Sequence, residues 1–271
     1  MVKGFIYIGS LLFILISLVW YWHVEPMTTR WLYGCQRTLD DVRCNDPKWA
    51  CLTFSGLPFS QRIGPTLEMM WERPEESCRI LYFHGRGRSV RHNFWQFAEL
   101  YKHCSIVAFE YPSCQREDYT AKTLLEKARQ TLLFTMGPQR NYLMCASFGC
   151  SILLSVLSGI PNVTGLILEN PPTSMTEVAA FYSGIPRALF TPFIKDDWSV
   201  WDGIRSIPGH VKVLLLTSER DELIPSMAMS EAIVAQLHLA YRHVVLTGAN
   251  HGDAPAHPLY KEAVVEFIKQ Q

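Results

Sequence analysis

The sequence lacks an excess of charge of either sign. Its 271 residues carry 25 Lys and Arg against 25 Asp and Glu, so the formal net charge at pH 7 is zero. A protein that binds nucleic acid needs a basic face to neutralise phosphates. The charge balance therefore argues against a nucleic-acid partner, and by itself it selects no other partner class.

Cysteine patterns that bind metal are also missing. The eight cysteines include no C-x-x-C pair and no histidine spacing typical of zinc, so we expect no metal site. Cys104 and Cys145 lie in apolar stretches, where we predict small buried hydrophobic side chains. Cys35, Cys44 and Cys51 are close in sequence and could form one disulfide if the body of the protein lies outside the cytosol.

No charged residue occurs between Phe5 and Trp22. As a helix, at about 1.5 Å per residue, this run (FIYIGSLLFILISLVWYW) reaches most of the way across the hydrocarbon of a bilayer. We predict a retained single-pass membrane anchor over residues 1–24. A cleaved signal peptide is the alternative, although no small-x-small cleavage site follows the run. The flanking charges are too evenly balanced to predict on which side of the membrane the rest of the chain lies.

Beyond the anchor, residues 25–64 are rich in turn formers, which predicts a linker and the N-terminal edge of a fold. Residues 65–271 contain neither an internal repeat nor a low-complexity run, and short apolar runs alternate there with segments of helical spacing. This alternation predicts an α/β domain with a mostly parallel sheet and helices on both faces. The predicted strands are 66–71, 79–83, 105–109, 142–145, 163–168, 211–216 and 243–246. The predicted helices are 93–101, 120–135, 148–157, 227–237 and 259–268.

One interval, at about residues 171–205, is longer than a single crossover requires. It contains the apolar stretch VAAFYSGIPRALFTPF, which one glycine and two prolines interrupt. We predict a cap-like insertion over the carboxyl ends of the strands. A crossover helix with an apolar core face is the alternative.

Residues with catalytic chemistry follow four of the predicted strands. The order along the chain is a His84-Gly85-Arg86 loop, then Ser147, Asp221 and His251. In a parallel sheet the carboxyl ends of the strands lie at one edge, so these side chains should converge. The order of oxyanion loop, serine, aspartate and histidine is the one that the α/β-hydrolase fold uses.

Ser147 is at the centre of the stretch C-A-S-F-G, a degenerate form of the strand–turn–helix motif G-x-S-x-G. A nucleophile on so tight a turn is held in a strained backbone conformation, at a cost of about 1 to 3 kcal/mol, which lifts its side chain clear of the sheet. The positions two before and two after must be small, and Cys145 and Gly149 satisfy this. Neither Cys145 nor Cys150 occupies the exposed apex, so we predict that Ser147 is the nucleophile.

His251 is the predicted general base, because imidazole titrates close to neutrality. Asp221 is predicted to accept the other ring N–H and to orient the imidazole. Glu169, after the preceding strand, is an alternative acid. Each of these residues taken alone has an ordinary explanation as a helix cap or turn former, and their joint placement at strand ends favours the catalytic interpretation.

The tetrahedral oxyanion needs preorganised donors. We predict the backbone N–H groups of Phe148 and Arg86 for this role, with Phe148 at the positive end of a helix dipole. His84 and Gly85, in the same loop as Arg86, are predicted to border the substrate. The arginines at positions 86, 88 and 91 could also receive a phosphate or carboxylate of the substrate, although a solvated loop is the simpler explanation.

At these residues the chain resembles the membrane-anchored branch of the alpha/beta-hydrolase-domain proteins. The motifs that carry the likeness are YFHGRGRSVRHNF, VAFEYPS, CASFGC, LENPPTS, TSERDELIP and GANHGD, which span about residue 66 to the carboxyl terminus. The resemblance implies single-pass serine hydrolases such as lysophospholipid lipases and protein depalmitoylases. The family's triad would be Ser147, Asp221 and His251, and its oxyanion residues would be Arg86 and Phe148.

The chain departs from the family pattern in three places. C-A-S-F-G-C replaces the family's G-x-S-x-G-G, the HG loop carries arginines instead of an asparagine, and Y-P-S-C replaces an aromatic-Arg-Gly-x-Gly turn. All three departures leave the predicted triad intact.

The sequence thus predicts a membrane-anchored serine hydrolase that cleaves carboxylic esters or thioesters through an acyl-enzyme, without a cofactor. The predicted anchor and the apolar insertion favour lipid or acyl-chain substrates. Two alternatives are a catalytically silent hydrolase fold that serves as an interaction protein, and an amide or peptide hydrolase that uses the same triad.

Overall fold

The structure is a computed structural model, and it describes residues 60–63, 67–71, 77–86, 94–111, 120–191, 194 and 197–270. The predicted anchor, most of the predicted linker and the cysteines at 35, 44 and 51 lie outside the described residues. Within the part of the chain that is described, no helix is long and apolar enough to cross a membrane.

Eight strands are found in the described residues: β1 (Ser60–Ile63), β2 (Leu67–Trp71), β3 (Cys78–Phe83), β4 (Ser105–Glu110), β5 (Arg140–Ala146), β6 (Val163–Glu169), β7 (Lys212–Ser218) and β8 (Tyr241–Leu246). They form one sheet in the order β1-β2-β4-β3-β5-β6-β7-β8. The pairs β1–β2 and β2–β4 are antiparallel, and every pair from β4 through β3 to β8 is parallel. The predicted α/β class and mostly parallel sheet are confirmed.

Eight α-helices accompany the sheet in the same described ranges: α1 (Phe94–Leu100), α2 (Ala121–Thr135), α3 (Phe148–Val156), α4 (Met175–Ser183), α5 (Arg187–Phe190), α6 (Trp201–Arg205), α7 (Ser226–Gln236) and α8 (Pro258–Lys269). A short 3₁₀ helix, Ala254–Ala256, precedes α8. All the predicted helices are present within two residues of their predicted ends. Strand β1 has no counterpart among the predicted strands, because its polar sequence SQRI shows no apolar run.

Both faces of the sheet are covered, as the strand pattern predicts. In β5, Leu143 and Cys145 contribute to one hydrophobic cluster, whereas Tyr142, Met144 and Ala146 contribute to the other. Side chains from α2, α3, α6 and α7 complete the first cluster, and side chains from α1 and α8 complete the second. Because both faces are buried, the central strands are continuously apolar. This arrangement leaves the carboxyl edge of the sheet as the place for polar chemistry.

Two buried disulfides correct the prediction that Cys104 and Cys145 are simple apolar side chains. Both residues are fully buried, but Cys104 is bonded to Cys78 and Cys145 is bonded to Cys150. The first pair meets because Arg79 and Ser105, the residues that follow these cysteines, are partners in the β3–β4 register. Register is a tertiary property, so sequence spacing did not indicate the bond.

The interval at residues 171–205 contains two kinds of structure. Helix α6 packs tightly on the core, since a Cβ on its Gly203 would lie 2.3 Å from the carbonyl oxygen of Leu154. By contrast, the end of α4 and the loop after it expose Phe181, Tyr182 and Ile185, each to between 45% and 51%. The interval thus combines a crossover helix with a more exposed segment, and its action as a cap stays a prediction.

Candidate active site

Ser147 lies at a sharp turn between the end of β5 and the start of α3. Its backbone angles are φ 49° and ψ −123°, a positive-φ conformation that residues other than glycine rarely adopt. The Ser147 N–H donates to the carbonyl of Glu169 at 2.8 Å, and the Ser147 carbonyl accepts from the N–H of Cys150 at 2.8 Å. These contacts hold a strained turn that points the hydroxyl away from the sheet.

Gly149 permits the close approach of α3 to β3. A Cβ at this position would lie 2.3 Å from the carbonyl oxygen of Phe83 and 2.5 Å from that of His84, both backbone atoms that cannot move aside locally. The sequence prediction that this position must be small therefore has a direct geometric cause.

We expect Gly149→Ala to destabilise the protein by about 1 to 3 kcal/mol, the usual cost of forcing extra atoms into a packed interior. Thermal unfolding measures this loss. Gly209→Ala is the matched control, since a Cβ there meets no atom within 4 Å. An unchanged unfolding temperature in Gly149→Ala would contradict the packing described above.

The three side chains of the predicted triad lie in hydrogen-bonding contact. His251 Nε2 is 2.9 Å from the Ser147 hydroxyl, and His251 Nδ1 is 2.5 Å from Asp221 Oδ2. A neutral imidazole carries one N–H, which the Asp221 carboxylate accepts from Nδ1. Nε2 is then an acceptor for the serine proton, which is the arrangement that a serine nucleophile needs.

The loop after β7 surrounds the Asp221 carboxylate with donors. The N–H groups of Leu223 and Ile224 donate to Oδ1 at 2.9 and 3.0 Å, and the Ser226 hydroxyl donates to Oδ2. Burial by itself would raise the pKa of Asp221, but the hydrogen bond and positive charge of His251 and the donors of Ser226 and Ile224 outweigh it and lower this pKa. The carboxylate therefore stays ionised at neutral pH.

Two positioning residues were not predicted. Asn170, with φ 44°, accepts from the Ser218 N–H at 2.7 Å and donates to the Ser218 hydroxyl at 3.0 Å, which ties the ends of β6 and β7 together. Glu222 accepts from the backbone N–H of His251 at 3.0 Å. Their sequence signals are weak, because an asparagine before two prolines and a glutamate beside an aspartate are ordinary loop residues.

Glu169, the alternative acid, makes a different contact. Its carboxylate accepts from the Tyr260 hydroxyl at 2.7 Å, while His251 contacts Asp221. Burial and then the nearby Glu169 charge raise the pKa of Tyr260 well above its usual value, so this hydroxyl remains a donor. The geometry thus favours Asp221 over Glu169 as the partner of the imidazole.

The residues predicted around the oxyanion separate into two groups. Arg86, Phe148 and Gly85 line the same cavity as Ser147. His84 does not: it is fully buried, its ring packs 3.9 Å from the ring of Tyr111, and its carbonyl accepts from the Tyr111 hydroxyl at 2.7 Å. A side chain enclosed in this way contacts the fold and not the cavity. Positions 88 and 91 lie outside the described residues.

The cavity beside Ser147 has a volume of about 390 Å³. Its charged lining consists of Arg86, Glu169 and Glu222, and the imidazole of His251 is also among the lining groups. The rest is mainly apolar and aromatic: Tyr82, Ala146, Phe148, Pro172, Met175, Val178, Tyr182, Leu223, Ile224 and Pro255. Such a mixture suits an apolar substrate whose reacting group is fixed by a few polar atoms. Among the described residues, no group of three or more His, Cys, Asp and Glu side chains could hold a metal ion.

Comparison with solved structures identifies the fold. Neither a protein-family model nor a curated protein sequence matches the chain. An esterase of Pyrococcus furiosus superposes with a TM-score of 0.61 at 17% identity, covering 79% of this chain and 90% of that one. Carboxyl esterase 2 of the fungus Tuber melanosporum superposes with a TM-score of 0.60 at 17% identity, covering 78% and 85%. An esterase/lipase from an uncultured bacterium gives 0.59 at 16% identity, covering 79% and 84%. The chain therefore has the α/β-hydrolase fold that these esterases share.

Proposed function

We propose that this protein is a membrane-anchored serine hydrolase that cleaves carboxylic esters or thioesters. The observation that carries the proposal is the unbroken contact from Asp221 through His251 to the Ser147 hydroxyl, with distances of 2.5 and 2.9 Å. The fold shared with several esterases supports the same reaction class. The substrate type and the anchor are argued separately below.

In the first half of the reaction, Ser147 Oγ attacks the substrate carbonyl carbon while its proton passes to His251 Nε2. The N–H groups of Phe148 and Arg86 are proposed to stabilise the oxyanion, and Asp221 stabilises the imidazolium. Collapse of the tetrahedral intermediate breaks the bond to the alcohol or thiol, which takes the proton from His251. In the second half, His251 accepts a proton from water, whose oxygen attacks the acyl carbon of the acyl-enzyme. Collapse of this second intermediate breaks the bond to Ser147 Oγ, which takes the proton back from His251, and the acid is released.

A lipid or another acyl-chain ester is the proposed substrate. Met175, Val178 and Tyr182 give the α4 side of the cavity a mainly apolar lining, and Phe181 on the same helix and Ile185 just after it are exposed apolar side chains. The uncharged run at residues 5–22 supports a membrane location for the protein. An enzyme held at a membrane has direct access to such substrates.

The full chain, purified in detergent, is tested with a fluorophosphonate probe and with acyl esters of graded chain length. We expect covalent labelling and hydrolysis of esters faster than of matched amides. A folded protein that is neither labelled nor active would overturn the proposal and support a catalytically silent scaffold. Amide cleavage at an equal rate would instead indicate an amide or peptide hydrolase.

We expect Val178→Phe to shift the preference toward shorter acyl chains. The phenyl ring is larger than the isopropyl group of valine and would occupy part of the cavity. The kcat/KM for a long-chain ester should therefore fall about tenfold relative to that for an acetyl ester. Ala180→Phe is the control, because this residue is on the same helix but is not among the lining residues. An identical chain-length profile for both variants would show that acyl chains do not bind along α4.

A further inference from the structure

A disulfide bond encloses the nucleophile turn. Cys145 is the last residue but one of β5, and Cys150 is the third residue of α3, so their bond spans Ser147 and Phe148. Their Cα atoms are 4.9 Å apart, and both side chains are fully buried in the cluster beneath the turn. The bond therefore joins the strand to the helix directly below the serine.

The conformation of this turn needs external support. Ser147 has a positive φ of 49°, and a strained backbone persists only when its surroundings hold it. The noncovalent support consists of two backbone hydrogen bonds of Ser147, one through its N–H and one through its carbonyl, and of the close packing of Gly149. The disulfide adds a covalent connection between the two ends of the same turn.

We propose that the Cys145–Cys150 disulfide is a positioning device for the Ser147 hydroxyl and the Phe148 N–H, and that the rate of acylation depends on it. The inference rests on the proposed serine hydrolase function. Movement at the turn would displace the nucleophile relative to His251 Nε2 and change the direction of the proposed oxyanion donor. Errors of about 1 Å in such placements can cost two orders of magnitude in rate.

The chain contains a matched control for this bond. Cys78 and Cys104 form the other disulfide among the described residues, and this bond is also buried. Cys78 is the first residue of β3, and Cys104 immediately precedes β4. Because β3 and β4 are parallel, this bond at their N-terminal ends lies at one edge of the sheet, and the strands end at the opposite edge, where Ser147 lies. The bond is therefore remote from the turn. Cys78 and Cys104 are separated by 26 residues, whereas Cys145 and Cys150 are separated by 5. In the chain-entropy model the longer loop stabilises the fold more.

We therefore expect loss of the Cys145–Cys150 bond to affect mainly the catalytic rate, and loss of the Cys78–Cys104 bond to affect mainly the stability of the fold. Cys145→Ala/Cys150→Ala should lower kcat by about tenfold to a hundredfold with little change in KM, and it should have the smaller effect on the unfolding temperature. Cys78→Ala/Cys104→Ala should lower the unfolding temperature more and leave kcat unchanged in the folded protein. Both are assayed in the full chain well below their unfolding temperatures.

Single variants separate the bond from the packing of its side chains. If the bond matters, Cys145→Ala, Cys150→Ala and the double variant should lose the same factor in kcat and in the rate of fluorophosphonate labelling. Independent packing effects would instead multiply in the double variant. Wild-type kcat in a folded double variant, or multiplicative losses, would overturn the inference. An inactive wild-type protein would overturn the proposed function instead.

Chemical reduction gives an independent measurement. A dithiol reductant breaks the Cys145–Cys150 bond by thiol–disulfide exchange and is itself oxidised to a cyclic disulfide. Its two electrons and two protons convert Cys145 and Cys150 to thiols. Alkylation followed by peptide mass analysis reports which bond is open. Activity should fall in step with opening of Cys145–Cys150 and should return when glutathione disulfide restores the bond. Full activity with this bond open, or a wild-type protein in which the bond never forms, would contradict the proposal.

Discussion

Replacing Ser147 with alanine should abolish fluorophosphonate labelling and lower kcat for ester hydrolysis by about a million-fold, the size of the loss when a triad serine is removed from a serine protease. The reason is that no other described hydroxyl is placed at His251 Nε2, which lies 2.9 Å from the Ser147 oxygen. The measurement is probe labelling on a gel together with hydrolysis of an acyl ester.

Ser155→Ala is the control for this substitution. Ser155 is on the same helix, and its hydroxyl donates to the Ser151 carbonyl at 2.7 Å, away from His251. We expect this variant to keep wild-type labelling and activity. Labelling that persists in a folded Ser147→Ala protein would place the nucleophile elsewhere and would refute the proposed mechanism.

Replacing Asp221 with asparagine should lower kcat at neutral pH by about ten-thousand-fold, because the amide favours the wrong tautomer of His251 and cannot stabilise the imidazolium. The Ser147–His251 contact could remain intact, so the probe reaction should slow without the protein unfolding. Asp202→Asn is a suitable control, since the exposed side chain of Asp202 pairs with Arg205, one turn further along the same helix, and lies on no element of the site.

Asp221→Asn should also alter the pH dependence of stability. The pKa of Asp221 is lower in the folded protein than its ordinary value, so its ionised form stabilises the fold above the unfolded pKa of about 4. This stabilisation is lost as the pH falls through the folded pKa. The free energy of unfolding of the wild type should therefore fall below pH 4 relative to that of Asp221→Asn, as measured by denaturant titration. A difference that is constant between pH 2 and 7 would contradict this.

Several features could be predicted because each depends on short-range chemistry. Apolar runs separated by helical spacing indicated the parallel sheet, and the order of Ser147, Asp221 and His251 after predicted strands indicated that their side chains would meet. Gly149 was predicted as a position without room for a side chain, and the Phe83 and His84 carbonyls are the reason. The membrane anchor at residues 1–24 remains a prediction, since it lies outside the described residues.

Other features depend on contacts between distant parts of the chain. Sequence placed both Asp221 and Glu169 after strands, and only the positions of Tyr260 and His251 decided which carboxylate contacts the imidazole. His84 was predicted to border the substrate, but Tyr111 packs against its ring. Asn170 and Glu222 act through hydrogen bonds to Ser218 and to the backbone of His251, which leave no periodic signal in the sequence.

By itself, the sequence predicted the fold class, the turn at Ser147 and the order of the proposed triad, because strand periodicity and turn chemistry are local properties. The tertiary structure supplied the contact that favours Asp221 over Glu169, the lining of the cavity and the pairing of the four described cysteines. These depend on strand register and on loops that meet across the edge of the sheet, and the distances involved exist only after the chain has folded.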